Sequence, residues 1–339
     1  MSASPNLPGR ASEERLQEIK RIAGETSLAP GATKSTAHPQ IQGPDSYYGL
    51  PALKAPVWTW EVPLYFFVGG ISGISGCMAF VAQLFHGDPA LIRVLLWAGF
   101  MGSALCPMLL IADLGRPSRF LYMLRVFKWR SPMSMGVWIL VAFSLCVTPA
   151  LFAHELILRG FNWPIVVWAR WAAEAGCVVT GLLLAGYTGV LIGATAIPVW
   201  SANRRSLPLY FLTAGLGGAS AILELAGFLV PATQALGFVA SMIETVLEFM
   251  FEIRKSAVDK PLHRGVSGIA FRLAGSLEGP ISLLVRLFWG STAHGRYVAA
   301  IAFLVGSLLG RYAWVWAGRV SAREPEIEFQ RQRSGQARP

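Results

Sequence analysis

Seven stretches of the chain, residues 62–85, 91–112, 133–153, 171–200, 209–230, 234–253 and 297–317, are long and apolar enough to cross a bilayer, which takes about 20 such residues in a helix. Hydrocarbon offers no partner to a backbone N–H or C=O, so each stretch has to satisfy its own and fold as a helix. An eighth stretch, 266–289, is interrupted by Arg272, Glu278, Pro280 and Arg286 and reads as a weaker span. The expected fold is therefore an all-α integral membrane protein with about eight transmembrane helices. Composition agrees, since 54% hydrophobic residues, 14% charged residues and a mean hydropathy of +0.49 exclude an ordinary soluble domain. Residues 209–231 run into the next stretch with almost no loop, which predicts a tight antiparallel hairpin.

Three regions follow from this pattern: a polar tail over 1–46, a membrane domain over 47–320 and a polar C-terminal tail over 321–339. The first tail is rich in Pro, Ser, Gly, Ala and Thr and reads as mostly disordered. It shows no apolar run ending in a small-residue cleavage site, so the first span is expected to stay as an anchor. With eight spans, the loops on the side of the termini carry eleven Lys and Arg, against five (Arg93, Arg159, Arg170, Arg286, Arg296) opposite. Cationic loops favour the cytoplasm, so both termini are expected there, in a bacterial inner membrane.

Several function classes drop out. The formal charge of +10 suggests nucleic acid, but the first 46 residues hold five cations and five acids, so the excess belongs to loops flanking the membrane. No nucleic-acid partner is expected. Cys77, Cys106, Cys146 and Cys177 all lie in apolar runs without C-x-x-C spacing and read as packing residues rather than metal or cluster ligands. His38, His86, His154, His263 and His294 lie in the tail, in a loop or at span ends, so no span offers a central axial ligand for haem. Glycines at spacings of three and four, as at Gly69, Gly73 and Gly76 or Gly186, Gly189 and Gly193, read as faces for close helix packing.

The polar bridge DLGRPSRFLYMLRVFKWRSPMSMG, residues 113–136, sets Arg116, Arg119, Arg125, Lys128 and Arg130 among aromatic and aliphatic residues. Pro117 is well placed to open a helix, and an amphipathic helix in the interface is expected. The alternative reading is that these cations merely hold a loop on the cytoplasmic side.

The segments YYGLPALKAPVWTWEVPLYFFVGGISG (47–73), DLGRPSRFLYMLRVFKWRSPMSMGVW (113–138), GYTGVLIGATAIPVWSANRRSLP (186–208) and LLGRYAWVWAGRVSAREP (308–325) resemble the NrfD/PsrC family of quinone-reactive membrane subunits. The resemblance implies eight helices in two four-helix bundles, no haem or iron–sulfur cluster in this chain, and menaquinone or ubiquinone as the bound cofactor. It also implies a ferredoxin-like iron–sulfur partner and a molybdopterin or other catalytic subunit beyond it. By the same resemblance the quinone site lies among the first helices. There Trp60, Glu61, Tyr65, Asp113 and Arg116 supply aromatic walls and ionisable groups, while Arg119, Arg125, Lys128 and Arg130 are candidates for docking the partner. Trp58, Trp60 and Tyr65 also fit an interfacial aromatic belt, and Asp113 also fits a pair with Arg116. The long N-terminal tail and the polar insertion at 254–265 depart from the family's pattern.

Glu244, Glu248 and Glu252 recur every four residues and so share one helix face. Acids inside a span are costly and are kept where they meet a cavity, a cation or a proton path. Two readings stay open: Glu244 and Glu248, with Glu224, as a proton file coupled to quinone turnover, or acids paired with Arg272, Arg286 or Arg311 to fix packing. Glu174 could line the same interior. Against an electron-transfer subunit stand a secondary transporter, which internal inverted symmetry would support, and a structural anchor, which needs no acids within its spans. No such symmetry shows between the two halves.

Overall fold

The computed structural model describes residue 53 and residues 56–113, 120–254 and 256–323. They form α1 (Glu61–Leu84), α2 (Pro89–Asp113), the short α3 (Phe120–Arg125), α4 (Pro132–Leu158), α5 (Pro164–Gly193) and the short α6 (Pro198–Ala202). Then come α7 (Ser206–Leu225), α8 (Pro231–Ile253), the one-turn α9 (Lys260–His263), α10 (Gly265–Ser276), α11 (Ser282–Phe288) and α12 (Ala293–Arg323). A π-helical segment, Leu277–Ile281, joins α10 to α11. Proline opens α2, α4, α5, α6 and α8, where its fixed φ suits the first turn and its missing N–H has no partner to lose.

The helices pair into two four-helix bundles, as the resemblance implies. In the first, α1 packs on α2 and α5, and α4 on α5 and α2; in the second, α7, α8, the α10–α11 helix and α12 pack together. The seam between the bundles is made by α7 against α1 and α5 and by α12 against α1. Gly73 and Gly181 face each other so closely across α1 and α5 that a Cβ on either would strike the other's carbonyl. That small-residue contact brings two buried backbones together.

Seven of the described helices, counting Gly265–Phe288 as one, have the length and hydropathy to cross a membrane. The remaining long helix is α8, whose 23 residues span about 35 Å but whose three acids lower its hydropathy. The weak and clear spans have thus changed places: 266–289 qualifies and 234–253 does not. The eighth span tolerates its polar residues because Glu278 and Arg286 are fully or almost fully buried in the bundle.

Two elements differ from the sequence reading, the fourth span and the helix after Pro117. The fourth span starts at Pro164 and ends at Gly193, not 171–200, because Pro198 forces Ile197 into an extended conformation (ψ 125°). Arg170, counted above as a loop cation, is consequently buried inside α5, as Arg286 is inside α11. The hairpin after α7 is as tight as expected. Gly227, at φ +93°, closes the helix, with Phe228 N–H donating to Leu223 O and Gly227 N–H to Glu224 O, both at 3.0 Å. Finally, the amphipathic helix expected from Pro117 is described only as α3, which stops at Arg125. Beyond it Ser131 is extended before Pro132, so Lys128 and Arg130 stand on a loop.

Candidate functional site

A cavity of about 260 Å³ opens within the first bundle, between the chain leading into α1 and helices α1, α2, α4 and α5. Its aromatic walls are Trp58, Tyr65, Phe66 and Tyr187; Val62, Leu110, Met133, Val137 and Leu191 complete the apolar lining, and Asp113 is the one acid among the described lining residues. Each wall has a local cause. Trp58 stacks on the buried Trp200 at 5.2 Å with 15° between planes, and Trp200 is itself fixed by donating Nε1–H to Trp314 O at 2.8 Å. Trp58 is therefore part of the core packing as well as a wall. Tyr187 donates its hydroxyl to Pro132 O at 2.5 Å, over Gly136, where any Cβ would overlap the phenol ring. Tyr65 is buried at the cavity, and its hydroxyl has no hydrogen-bond partner among the described residues.

Thr59 ties the two acids at the mouth together. Its N–H and Oγ1 lie 3.4 and 3.2 Å from Asp113 Oδ1, and Oγ1 also hydrogen-bonds the Glu61 carboxylate. One hydroxyl hydrogen serves two carboxylates, so Thr59 can donate to only one of them at a time.

The sequence candidates fall as follows. Tyr65 and Asp113 line the cavity. Glu61 stands one hydroxyl away, at the head of α1. Trp60 is 58% exposed and faces away, into a groove beside Tyr312, which donates to Trp60 O at 2.9 Å. Arg116 and Arg119 lie outside the described residues. Arg125, Lys128 and Arg130 are exposed on and after α3, with Tyr122, Phe127 and Trp129 exposed among them and Arg130 over the Trp129 ring at 4.8 Å. Sequence reasoning did not single out Tyr187, Gly136 or Met133, although all three stand within two of the quoted segments; the meeting of Tyr187 with Gly136 is a fact of packing between α4 and α5.

A second polar centre lies in the other bundle. Glu244 (α8), Glu278 (π segment), Tyr210 and Thr213 (α7) and Arg311 (α12) are all buried. Glu244 accepts a hydrogen bond from Thr213, and Glu278 sits within electrostatic reach of Glu244, Tyr210 and Arg311. Both oxygens of Glu278, one of Glu244 and two nitrogens of Arg311 lack a well-formed hydrogen bond among the described residues. Arg311 donates to Phe211 O at 3.2 Å and lies over the Phe211 ring at 3.9 Å. Going down α8, Glu248 packs over Gly275, and Glu252 meets His263 at 3.3 Å. In the other direction Ser241 and Ser282 hydrogen-bond at 3.0 Å, and beyond them Arg286 grips both oxygens of Glu224 at 2.7 and 2.8 Å. Arg272 is exposed. Glu174 does not share this interior: it is buried in the first bundle, 3.9 Å from Arg170. Among the described residues no group of three His, Cys, Asp or Glu is arranged to hold a metal ion.

A family model described as "Polysulphide reductase, NrfD" matches residues 51–321. Protein NrfD of Escherichia coli is 25% identical over 185 residues, covering 49% of this chain and 58% of that protein. The C subunit of polysulfide reductase from Wolinella succinogenes is 30% identical over 179 residues, covering 47% and 55%. The protein thus spans little more than half the length of these curated relatives.

Proposed function

The chain belongs to the NrfD family, and on that premise we propose that it is the quinone-binding membrane subunit of a multi-subunit oxidoreductase, passing electrons between a docked iron–sulfur subunit and the quinone pool. The carrying observation is the cavity in the first bundle. Its walls suit a flat, apolar ring: Trp58 is stacked on Trp200 and edge-on to Phe66, Tyr187 is tied to Pro132 O, and a phenol with no partner among the described residues and a carboxylate are the polar groups available to ring carbonyls. When bound, a quinone supplies two-electron, two-proton redox chemistry. Tyr65 orients a carbonyl by donating its free hydroxyl. Asp113 takes or gives a proton at the mouth, and Thr59 links it to Glu61 and so to the surface. The exposed cations Arg125, Lys128 and Arg130 precede α4, whose Met133 and Gly136 line the cavity, and in this reading they present the docking face. Multi-pass insertion follows from the spans; cytoplasmic termini and a bacterial inner membrane are part of the same proposal.

We assign proton movement to Glu244, Glu278 and Glu248. A single guanidinium, Arg311, faces two buried acids, so the charge balance of the cluster closes with one proton shared between them. Glu224 is left out of this file, because Arg286 holds both of its oxygens.

Photolabelling of the purified chain with an azidoquinone tests the quinone site without needing the partner. Label is expected on the peptides carrying Trp58, Tyr65, Met133 or Tyr187, competed by unmodified quinone, and lost in Val137→Trp, which fills the cavity. Unchanged labelling in that variant would place the site elsewhere. Glu244→Gln in proteoliposomes of the assembled complex tests the second part: proton uptake should fail while quinone turnover continues.

A further inference from the structure

The polar insertion at 254–265 has no part in the function proposed above, yet it is built with care. Asn203, buried after α6, donates to Asp259 Oδ1 at 3.0 Å and accepts from Arg254 Nη1 at 3.3 Å. His263 hydrogen-bonds Arg254 O at 3.0 Å, and Ser267 donates to Pro261 O at 2.7 Å. Pro261 and Leu262 are buried. So the insertion is stapled to the α6–α7 connection and to the head of α10.

What this staple holds in place is a groove lined by Lys260, Arg264, Val266, Ser267, Trp316 and Val320. Lys260 and Arg264 are exposed and stand four residues apart, and neither side chain pairs with an acid among the described residues. Val266 is 61% exposed in the first turn of α10, and Trp316 43% exposed in the last turns of α12. Both helices are among those fit to cross the membrane, and this is where their ends meet. The groove therefore sits at headgroup depth, with cations at its top and apolar surface below.

We propose that this groove binds an anionic phospholipid, its phosphate between Lys260 and Arg264 and an acyl chain along Val266, Trp316 and Val320. Basic pockets between helix ends at a membrane surface recognise acidic lipids, and each cation near such a surface favours them about fivefold. Two cations then give a preference of roughly thirtyfold over a zwitterionic lipid. The indole supplies what a free phosphate cannot use: an amphipathic ring at the boundary between headgroup and chain. Other sources of the same negative charge are inorganic phosphate and the protein's own segment from Glu324 to Glu328, which reads Glu-Pro-Glu-Ile-Glu.

The test uses the full chain in neutral detergent, titrated with phosphatidylglycerol or phosphatidylcholine brominated in the acyl chains, and reads the fluorescence lost in wild type but not in Trp316→Phe. Quenching of Trp316 should reach its midpoint at least tenfold lower in phosphatidylglycerol. In Lys260→Gln/Arg264→Gln the two lipids should become equivalent, while an unchanged far-ultraviolet spectrum shows the fold intact. Equal quenching by both lipids in wild type would overturn the proposal. So would competition by millimolar inorganic phosphate alone, which assigns the cations to a soluble anion. A preference that appears only after Glu324, Glu326 and Glu328 are changed to Gln would overturn it too, in favour of the tail.

Discussion

Glu224 and Arg286 form a buried ion pair whose removal should separate a packing lock from a proton site. Neither side chain is exposed at all, and the guanidinium meets the carboxylate through two bonds of 2.7 and 2.8 Å while resting on Gly237, where any Cβ would overlap it. Arg286→Met leaves a carboxylate in the bundle without its partner, and Glu224→Leu leaves a guanidinium. Losing one member of such a pair costs about 3–5 kcal/mol, a factor of more than a hundred in the folded population. Replacing both by apolar groups of similar volume removes the desolvation cost together with the attraction, so the double variant should recover to within about 1–2 kcal/mol of wild type. The cycle is read by reversible unfolding in mixed micelles of dodecylmaltoside and dodecylsulfate, followed by tryptophan fluorescence, with proton uptake measured on the assembled complex. The expected result is a large non-additivity and normal proton uptake in the double variant. Single costs under about 1 kcal/mol, or additive ones, would refute the lock; lost proton uptake in a stable double variant would return Glu224 to the proton file.

Three further outcomes follow from the geometry. Gly136→Ala should weaken azidoquinone labelling at least fivefold without unfolding the chain, because the new methyl group displaces the Tyr187 ring from the cavity wall; unchanged labelling would show that the ring's position is immaterial. Lys128→Ala with Arg130→Ala should abolish co-purification of the partner subunit above moderate salt, as expected for exposed cations acting through screened attraction, and retention at high salt would move the docking face elsewhere. For Asp259, burial raises the carboxyl pKa more than the Asn203 bond, His263 and Arg254 lower it. The folded state thus favours the protonated acid: stability is full below the ordinary carboxylate pKa of about 3.9 and declines as pH rises from there through the raised value. Asp259→Asn, which can still accept from Asn203, should therefore match wild type near pH 4 and exceed it in thermal midpoint at pH 7. A variant less stable at pH 7 would show that the charge is needed.

The helices were legible because membrane spans announce themselves through length and hydropathy, and prolines mark where five of them begin. What hydropathy ranks poorly is a span whose polar groups are sheltered by its neighbours. Glu278 and Arg286 made 266–289 look weak, although Arg286 is neutralised from α7, a partner 62 residues away in the sequence. The same blindness affects the candidate site. Tyr65 and Asp113 could be picked as residue types near span ends, but Trp60 and Trp58, two residues apart, look alike in sequence, and only the stacking of Trp58 on Trp200 decides which faces the cavity. That stack also connects the two bundles. Trp200 bonds to Trp314 on α12, and the Trp314 ring packs against Tyr210 at 6.2 Å and Phe251 at 5.3 Å, with Tyr210 beside Arg311 and Glu278. A wall of the cavity and the acid pair of the second bundle are thus linked by ring contacts joined through one indole hydrogen bond. Packed interiors shift between discrete arrangements rather than deform smoothly. The π segment, which places Glu278 at the far end of those contacts, is the point where the α10–α11 helix departs from regular i to i+4 bonding, and it is closely packed there, since a Cβ on Gly306 of α12 would strike Glu278 N.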